Sequence, residues 1–121
     1  MADRALFIGW GENVTGREER GLEVFNEAMG MYGRMQQDGR IEKFDVCLLD
    51  PHGGGLGGFI LLQGSAAQLA DIQDDDEFRK NLVDASLIVR ELGAVSGYIN
   101  EGIAPELAIY QEAIAKVPQD A

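Results

Sequence analysis

Apolar positions along the chain switch between two periods, and the switches predict a definite order of elements. Residues 5–10 (Ala-Leu-Phe-Ile-Gly-Trp) are a short apolar run bounded by polar residues and glycine, which reads as a strand with both faces apolar. Thr15 followed by Glu18 has the spacing of a capping box and predicts a helix start. Its apolar residues Leu22, Val24, Phe25, Ala28, Met29, Met31, Tyr32 and Met35 fill about half of the helical circle, with Glu19, Glu23, Asn26, Glu27 and Arg34 mainly opposite. Asp38-Gly39 stops it, glycine suiting the left-handed position after a last turn.

Residues 41–49 alternate as a second strand, with Phe44, Val46 and Leu48 on one face and Lys43, Asp45, Cys47 and Leu49 on the other. The glycine-rich stretch 50–58 is a loop on composition. Phe59–Gln63 form a third strand, again apolar on both faces. Ser65 with Gln68 makes another capping box ahead of Leu69 and Ile72, and the pattern breaks at Asp74-Asp75-Asp76, where Asp74 and Glu77 can open a second segment. From there Phe78, Leu82, Ala85, Val89 and Leu92 recur at helical spacing until Gly93. Residues 94–101 read as a fourth strand, with Val95 and Ile99 on one face and Ala94, Ser96, Tyr98 and Asn100 on the other. Pro105 suits the first turn of a last helix with stripe Leu107, Tyr110, Ile114 and Val117.

The order β-α-β-β-α-β is the ferredoxin-like motif. It predicts an α+β fold: one domain over 1–121, with a core over 5–103, an antiparallel sheet, helices on one sheet face, and an extra C-terminal helix over 105–117. Helices on one face need one apolar strand face, yet the first and third strands are apolar on both. An open apolar sheet face is a patch that soluble proteins avoid. A second copy stacked sheet to sheet covers it, so a homodimer through the sheet faces is expected.

On this element order, the two-faced strands and the broken second helix (Ser65 to Leu92), the chain resembles the dimeric α/β-barrel superfamily over residues 5–103. The Asp74-Asp75-Asp76-Glu77-Phe78 break is most similar to the uncharacterised, YCII-like or stress-response-type branches. The resemblance implies pairing into a dimeric α/β barrel and a pocket between helices and sheet. The superfamily holds cofactor-free monooxygenases, haem-degrading enzymes, lactone isomerases and proteins of unknown role, so it implies a pocket more than a reaction.

Charge and composition narrow the partners. The chain has 121 residues and 45% hydrophobic residues, enough for a packed core, with 21 acids against 10 bases and a formal net charge of −11. That offers no net positive field for phosphate backbones, so no nucleic acid and no anionic membrane surface is expected. No stretch reaches the ~18 apolar residues of a spanning helix, and the first residues show no basic-then-apolar leader. Cys47 stands alone, which excludes a disulfide framework and favours a cytoplasmic setting.

Candidate chemistry is sparse. His52, the single histidine, is the weak catalytic candidate as a general base; the competing reading is a solvent-exposed loop residue. No second His and no Cys at ligand spacing supports a metal site, and no cofactor is expected. Gly53–Gly58 lacks the Lys and the following helix of a phosphate loop and reads as a flexible connection. Asp74–Glu77 lacks calcium-loop spacing and reads as helix capping. The helix methionines read as core and Cys47 as an inert thiol. Trp10, near the mouth of any helix–sheet pocket, can stack on a ligand or plug the core. Tyr98 and Asn100 share a mixed polar face that suits a small ligand or a polar interface lining. Trp10, Tyr98, Asn100 and His52 are therefore the ligand-binding candidates. The first expectation is a homodimer of unassigned role holding a small molecule. The alternatives are a cofactor-free monooxygenase or isomerase acting on a small apolar or aromatic compound, and an acidic protein-interaction module.

Overall fold

A computed structural model describes residues 1–119, so the last two residues of the expected 1–121 domain lie outside the described residues. The elements follow in the order β1 (Arg4–Trp10), α1 (Glu18–Gln37), β2 (Lys43–Leu48), β3 (Gly58–Gly64), α2 (Ala66–Gln73), α3 (Asp76–Ser86) and β4 (Gly93–Tyr98). A helix α4 (Ile103–Ile114) follows β4 through a 3-10 turn at Asn100–Gly102. Among the described residues the strands form an antiparallel sheet in the order β2-β3-β1-β4. This is the ferredoxin-like α+β arrangement that the element order predicts, with the extra C-terminal helix.

The register sets the two faces, because opposed residues of an antiparallel pair point to the same side. Ile8 opposes Ile60, Leu6 opposes Leu62, and Leu62 opposes Phe44. These side chains meet Met31, Tyr32 and Met35 of α1, Leu69 and Ile72 of α2 and Phe78 of α3 in the core. The other face carries Phe7, Phe59, Leu61 and Val95 by the same register. Val95 is exposed and the other three are half-buried. Phe7 and Phe59 stack with ring centroids 5.1 Å apart. The second sheet face is thus open and apolar at Phe7, Phe59, Leu61 and Val95, as the two-faced strands predict, while Lys43, Asp45 and Gln63 make a polar corner of it at β2 and the end of β3.

Local chemistry explains most boundaries and moves some of them. The Ser65–Gln68 capping box forms in both directions. At α1 the expected Thr15 cap does not form: Arg17 occupies the cap position without a side-chain bond, and the Glu18 carboxylate turns back to accept the Gly16 N–H at 2.9 Å. At α3 the cap is Asp75 rather than Asp74. The apolar stripe suggests a helix to Leu92, but α3 ends at Ser86. Residues 88–90 instead run antiparallel to 11–14, through Val14 N–H to Ile88 O (2.7 Å), Arg90 N–H to Glu12 O (2.9 Å) and Gly11 N–H to Arg90 O (2.7 Å). These bonds capture backbone groups that two more helical turns would otherwise satisfy. β4 likewise ends at Tyr98 rather than 101, where Asn100 adopts a left-handed φ of 51°. No residue of α4 is buried, and Leu107, Ile109 and Tyr110 stand exposed. Among the described residues no helix is long and apolar enough to cross a membrane.

Candidate functional site

The site begins where β1 ends. Trp10 opposes Gly58 across the β1–β3 ladder. A Cβ at Gly58 would lie 2.9 Å from an indole ring carbon, so the glycine is what lets the ring lie close over the β3 backbone. The indole meets Phe25 of α1 edge-on, with centroids 6.2 Å apart.

Beside this aromatic pair, between α1, α3 and the sheet, lies a cavity of about 300 Å³, at the small end of the ~300–1,000 Å³ usual for ligand pockets. Ile8, Ile60 and Leu48 line its sheet side, Val24, Phe25 and Ala28 its α1 wall, and Leu82 and Ala85 its α3 wall. Ile88 and Val89 bound it beyond α3, held there by the backbone pairing to 11–14. Small residues, Gly21, Ala28 and Ala85, are part of the lining, and a Cβ at Gly21 would meet Asn13 and Ile88 at 2.8 and 3.1 Å. Leu22 and Leu48, exposed by 66% and 67%, are the most solvent-accessible apolar members of the lining.

Polar groups are few. The lining contains no Asp, Glu, Lys, Arg or His side chain; besides the indole of Trp10, its polar side chains are Asn13, Asn81 and Tyr32. Asn81 Nδ2 donates to Val24 O at 3.3 Å and ties α3 to α1. Tyr32 is only 1% exposed, and its ring sits near Phe44 and Phe78, at centroid distances of 5.8 and 6.4 Å. Burial pushes its phenol above the ordinary tyrosine range, because the charged form is the one that desolvation penalises. It is therefore a neutral donor at any physiological pH.

Of the four sequence candidates, Trp10 lines this cavity and the others lie elsewhere. His52 sits on the glycine loop beside a wider depression of about 770 Å³, bordered also by Glu12, Arg90 and Glu91. Both of its ring nitrogens engage loop backbone: Nε2 lies 2.7 Å from Leu56 O, and Nδ1 accepts the Gly54 N–H at 3.2 Å. That pattern fits the tautomer protonated at Nε2 and makes the imidazole a brace for its own loop. Tyr98 opposes Arg4, whose guanidinium lies 4.2 Å from its ring centre. Arg4 is six residues along β1 from Trp10, about 20 Å at ~3.3 Å per residue. Asn100 donates to Ala2 O at 2.8 Å and holds the chain terminus to the turn after β4. The four residues do not meet in one cavity.

Sequence reasoning passes over Phe25, Tyr32, Asn81 and Ala85 as site residues, because a cavity wall and a core stripe share one periodicity. The available signal is the set of small residues at 21, 28 and 85 on otherwise bulky stripes. Elsewhere Asp75 caps α3, accepting the Phe78 N–H at 3.1 Å, and pairs with Arg40 at 2.9 Å. The Phe78 N–H first, and Arg40 after it, hold its carboxyl below the usual carboxylate range. Among the described residues no group of three or more His, Cys, Asp or Glu is placed to hold a metal ion.

Compared with known proteins, the chain matches no family model and no curated protein. Solved structures share its fold. One is a dimeric protein of unknown function and ferredoxin-like fold from Bacteroides fragilis. It has a TM-score of 0.58 at 12% identity, over 79% of this chain and 96% of that one. Another is a protein from Pseudomonas aeruginosa, with a TM-score of 0.59 at 16% identity over 83% of this chain and 96% of that one. At these identities the likeness is one of fold.

Proposed function

We propose that the chain binds one small, uncharged, largely apolar molecule per subunit in the cavity between α1, α3 and the sheet, and that two copies pair through the open sheet face. The observation that carries the first part is the lining itself: an aromatic pair, Trp10 and Phe25, in a largely aliphatic wall that contains no Asp, Glu, Lys, Arg or His side chain. A charged ligand would be buried there unpaired, at large cost. An apolar one gains about 25 cal/mol for each Å² it removes from water. The wider depression at the glycine loop is the weaker candidate, because its walls are exposed loop backbone and charged side chains.

Pairing is supported by the open face of Phe7, Phe59, Leu61 and Val95 and by the dimeric description of the Bacteroides fragilis neighbour. The lone Cys47 favours a cytoplasmic setting for this dimer.

A thermal-shift panel of neutral one- and two-ring compounds tests the ligand reading. Some members should raise the melting temperature of the native chain and leave unchanged an Ala85→Phe variant, whose ring fills the cavity. If no compound stabilises the native chain, or if the variant responds equally, the cavity is not the site. Sedimentation equilibrium tests the pairing: a native dimer should shift toward monomer on Phe59→Lys, and a native monomer at micromolar concentration refutes the sheet-face interface.

A further inference from the structure

Helix α4 has the sequence of a packed helix and the exposure of a free one. Ile103, Leu107, Tyr110 and Ile114 follow one another at steps of four, three and four, with Val117 three further on in the turn beyond. That spacing puts them on one narrow stripe of the kind that forms a seam between elements. All five are between 36 and 63% exposed, and no residue of α4 is buried in its own chain. A helix of 12 residues is marginal in water by itself, because packing of an apolar face supplies most helical stability. Its root is nevertheless fixed. The Ile99 N–H donates to Asp3 O at 3.1 Å and the Asn100 amide to Ala2 O at 2.8 Å. Gly102 lies so close to Asp3 O that no Cβ fits between them. α4 is therefore an arm with an anchored base and an uncovered apolar stripe.

We infer that this stripe is a second element of the homodimer interface, and that the second copy of the chain covers it. This rests on the chain pairing with itself. Area is the first argument. The apolar part of the open sheet face is Phe7, Phe59, Leu61 and Val95, three of them already half-buried, which falls well short of the ~800 Å² per partner of a standard interface. The α4 stripe supplies more apolar surface next to it: the edge strand β4 carries Val95 and ends at Tyr98, and α4 begins at Ile103. α4 does not cover its own sheet, since Val95 stays 61% exposed. Charge is the second argument. At a net −11, the chain draws a basic partner to its acidic helix faces and is repelled by an anionic membrane. The stripe carries no charge, and Ala104, Gln111 and Ala113 beside it are neutral, with Glu106 the one acid on its flanks. An uncharged strip is where two equally acidic copies can meet.

Sedimentation equilibrium tests this on the native chain, the double variant Leu107→Glu/Tyr110→Glu, Ala108→Glu and Phe59→Lys, with circular dichroism to show that each is folded. The double variant should weaken the dimer about a hundredfold or more, because a two-fold interface counts each loss twice. Ala108→Glu, the same charge placed off the stripe, should change it about threefold or less. Hydrogen exchange needs no variant: amides of 103–114 should be protected in the native dimer and exchange faster on dilution to monomer. A dimer unchanged by the double variant, equal weakening by Ala108→Glu, or α4 amides that exchange alike at all concentrations overturns the inference: α4 then serves another partner or none. If Phe59→Lys still dissociates that dimer, the sheet-face pairing survives. If the double variant dissociates it and Phe59→Lys does not, the α4 interface stands and the sheet-face pairing falls. A native monomer at micromolar concentration sinks both.

Discussion

Asp75 joins the start of α3 to the turn after α1, and replacing it separates two contributions to the stability of the fold. Its carboxylate accepts the Phe78 N–H at 3.1 Å and pairs with Arg40 at 2.9 Å. Phe78, three residues on, is 2% exposed in the core. Asp75→Ala removes both contacts. Loss of the cap alone costs about 1 kcal/mol, within a range of ~0.5–2. The pair with Arg40, whose side chain is 41% exposed, adds about 0.5 kcal/mol after solvent screening. The expected total is about 1.5 kcal/mol, or roughly 4–8 °C in melting temperature for a domain of this size. Asp75→Asn keeps a capping oxygen and loses the charge, so it should cost only the smaller part, about 0.5 kcal/mol.

The charge also sets a pH dependence. A carboxyl held below its ordinary value stabilises the fold in full above the unfolded value of about 3.9. That stabilisation is lost as pH falls through the lower folded value. The gap between the native chain and Asp75→Asn should therefore be flat near neutrality and close on acidification. Urea unfolding followed by circular dichroism measures all of this, at one fixed protein concentration because self-association would couple to stability. Equal losses for the Ala and Asn variants, or a gap that widens in acid, would refute the reasoning.

Other substitutions probe the remaining parts of the account. Leu62→Ala, at a fully buried position on the helix-facing side of β3, should cost about 3–5 kcal/mol in the same unfolding assay. Gly58→Ala places a Cβ 2.9 Å from both the indole and the Cys47 carbonyl oxygen; it should displace Trp10, seen as a shift in its emission maximum, and lower the unfolding midpoint by straining the β2–β3 pairing. His52→Ala removes the brace between Gly54 and Leu56; hydrogen exchange in residues 52–57 should accelerate while binding in the α1–α3 cavity is unchanged.

The fold was legible because its instructions are local and redundant. The Ser65–Gln68 box, the break at Asp74–Asp76 and the two-faced runs at 5–10 and 59–63 each constrain one element, and their order leaves few topologies. Val89 and Leu92 continue the α3 stripe in sequence, yet their segment leaves the helix because residues 11–14, some 75 positions earlier, offer better partners for its backbone. Helical periodicity cannot register that competition. The site was less legible for a related reason. Phe25, Tyr32 and Ala85 face inward on stripes that would look the same around a filled core, and only three-dimensional packing shows that the space between them is open. Tyr98 shares a strand face with Ser96 as the alternation indicates, but its distance from Trp10 depends on the antiparallel register, which one strand alone does not reveal.

The most direct test of the cavity as a ligand site is a crystal structure of the chain grown with 2-acetylnaphthalene. The account predicts density for the ring system between α1 and α3, against Trp10 and Phe25. A crystal in which the probe sits elsewhere, or in which Leu22, Phe25 and Leu82 have closed over an occluded core, would contradict it.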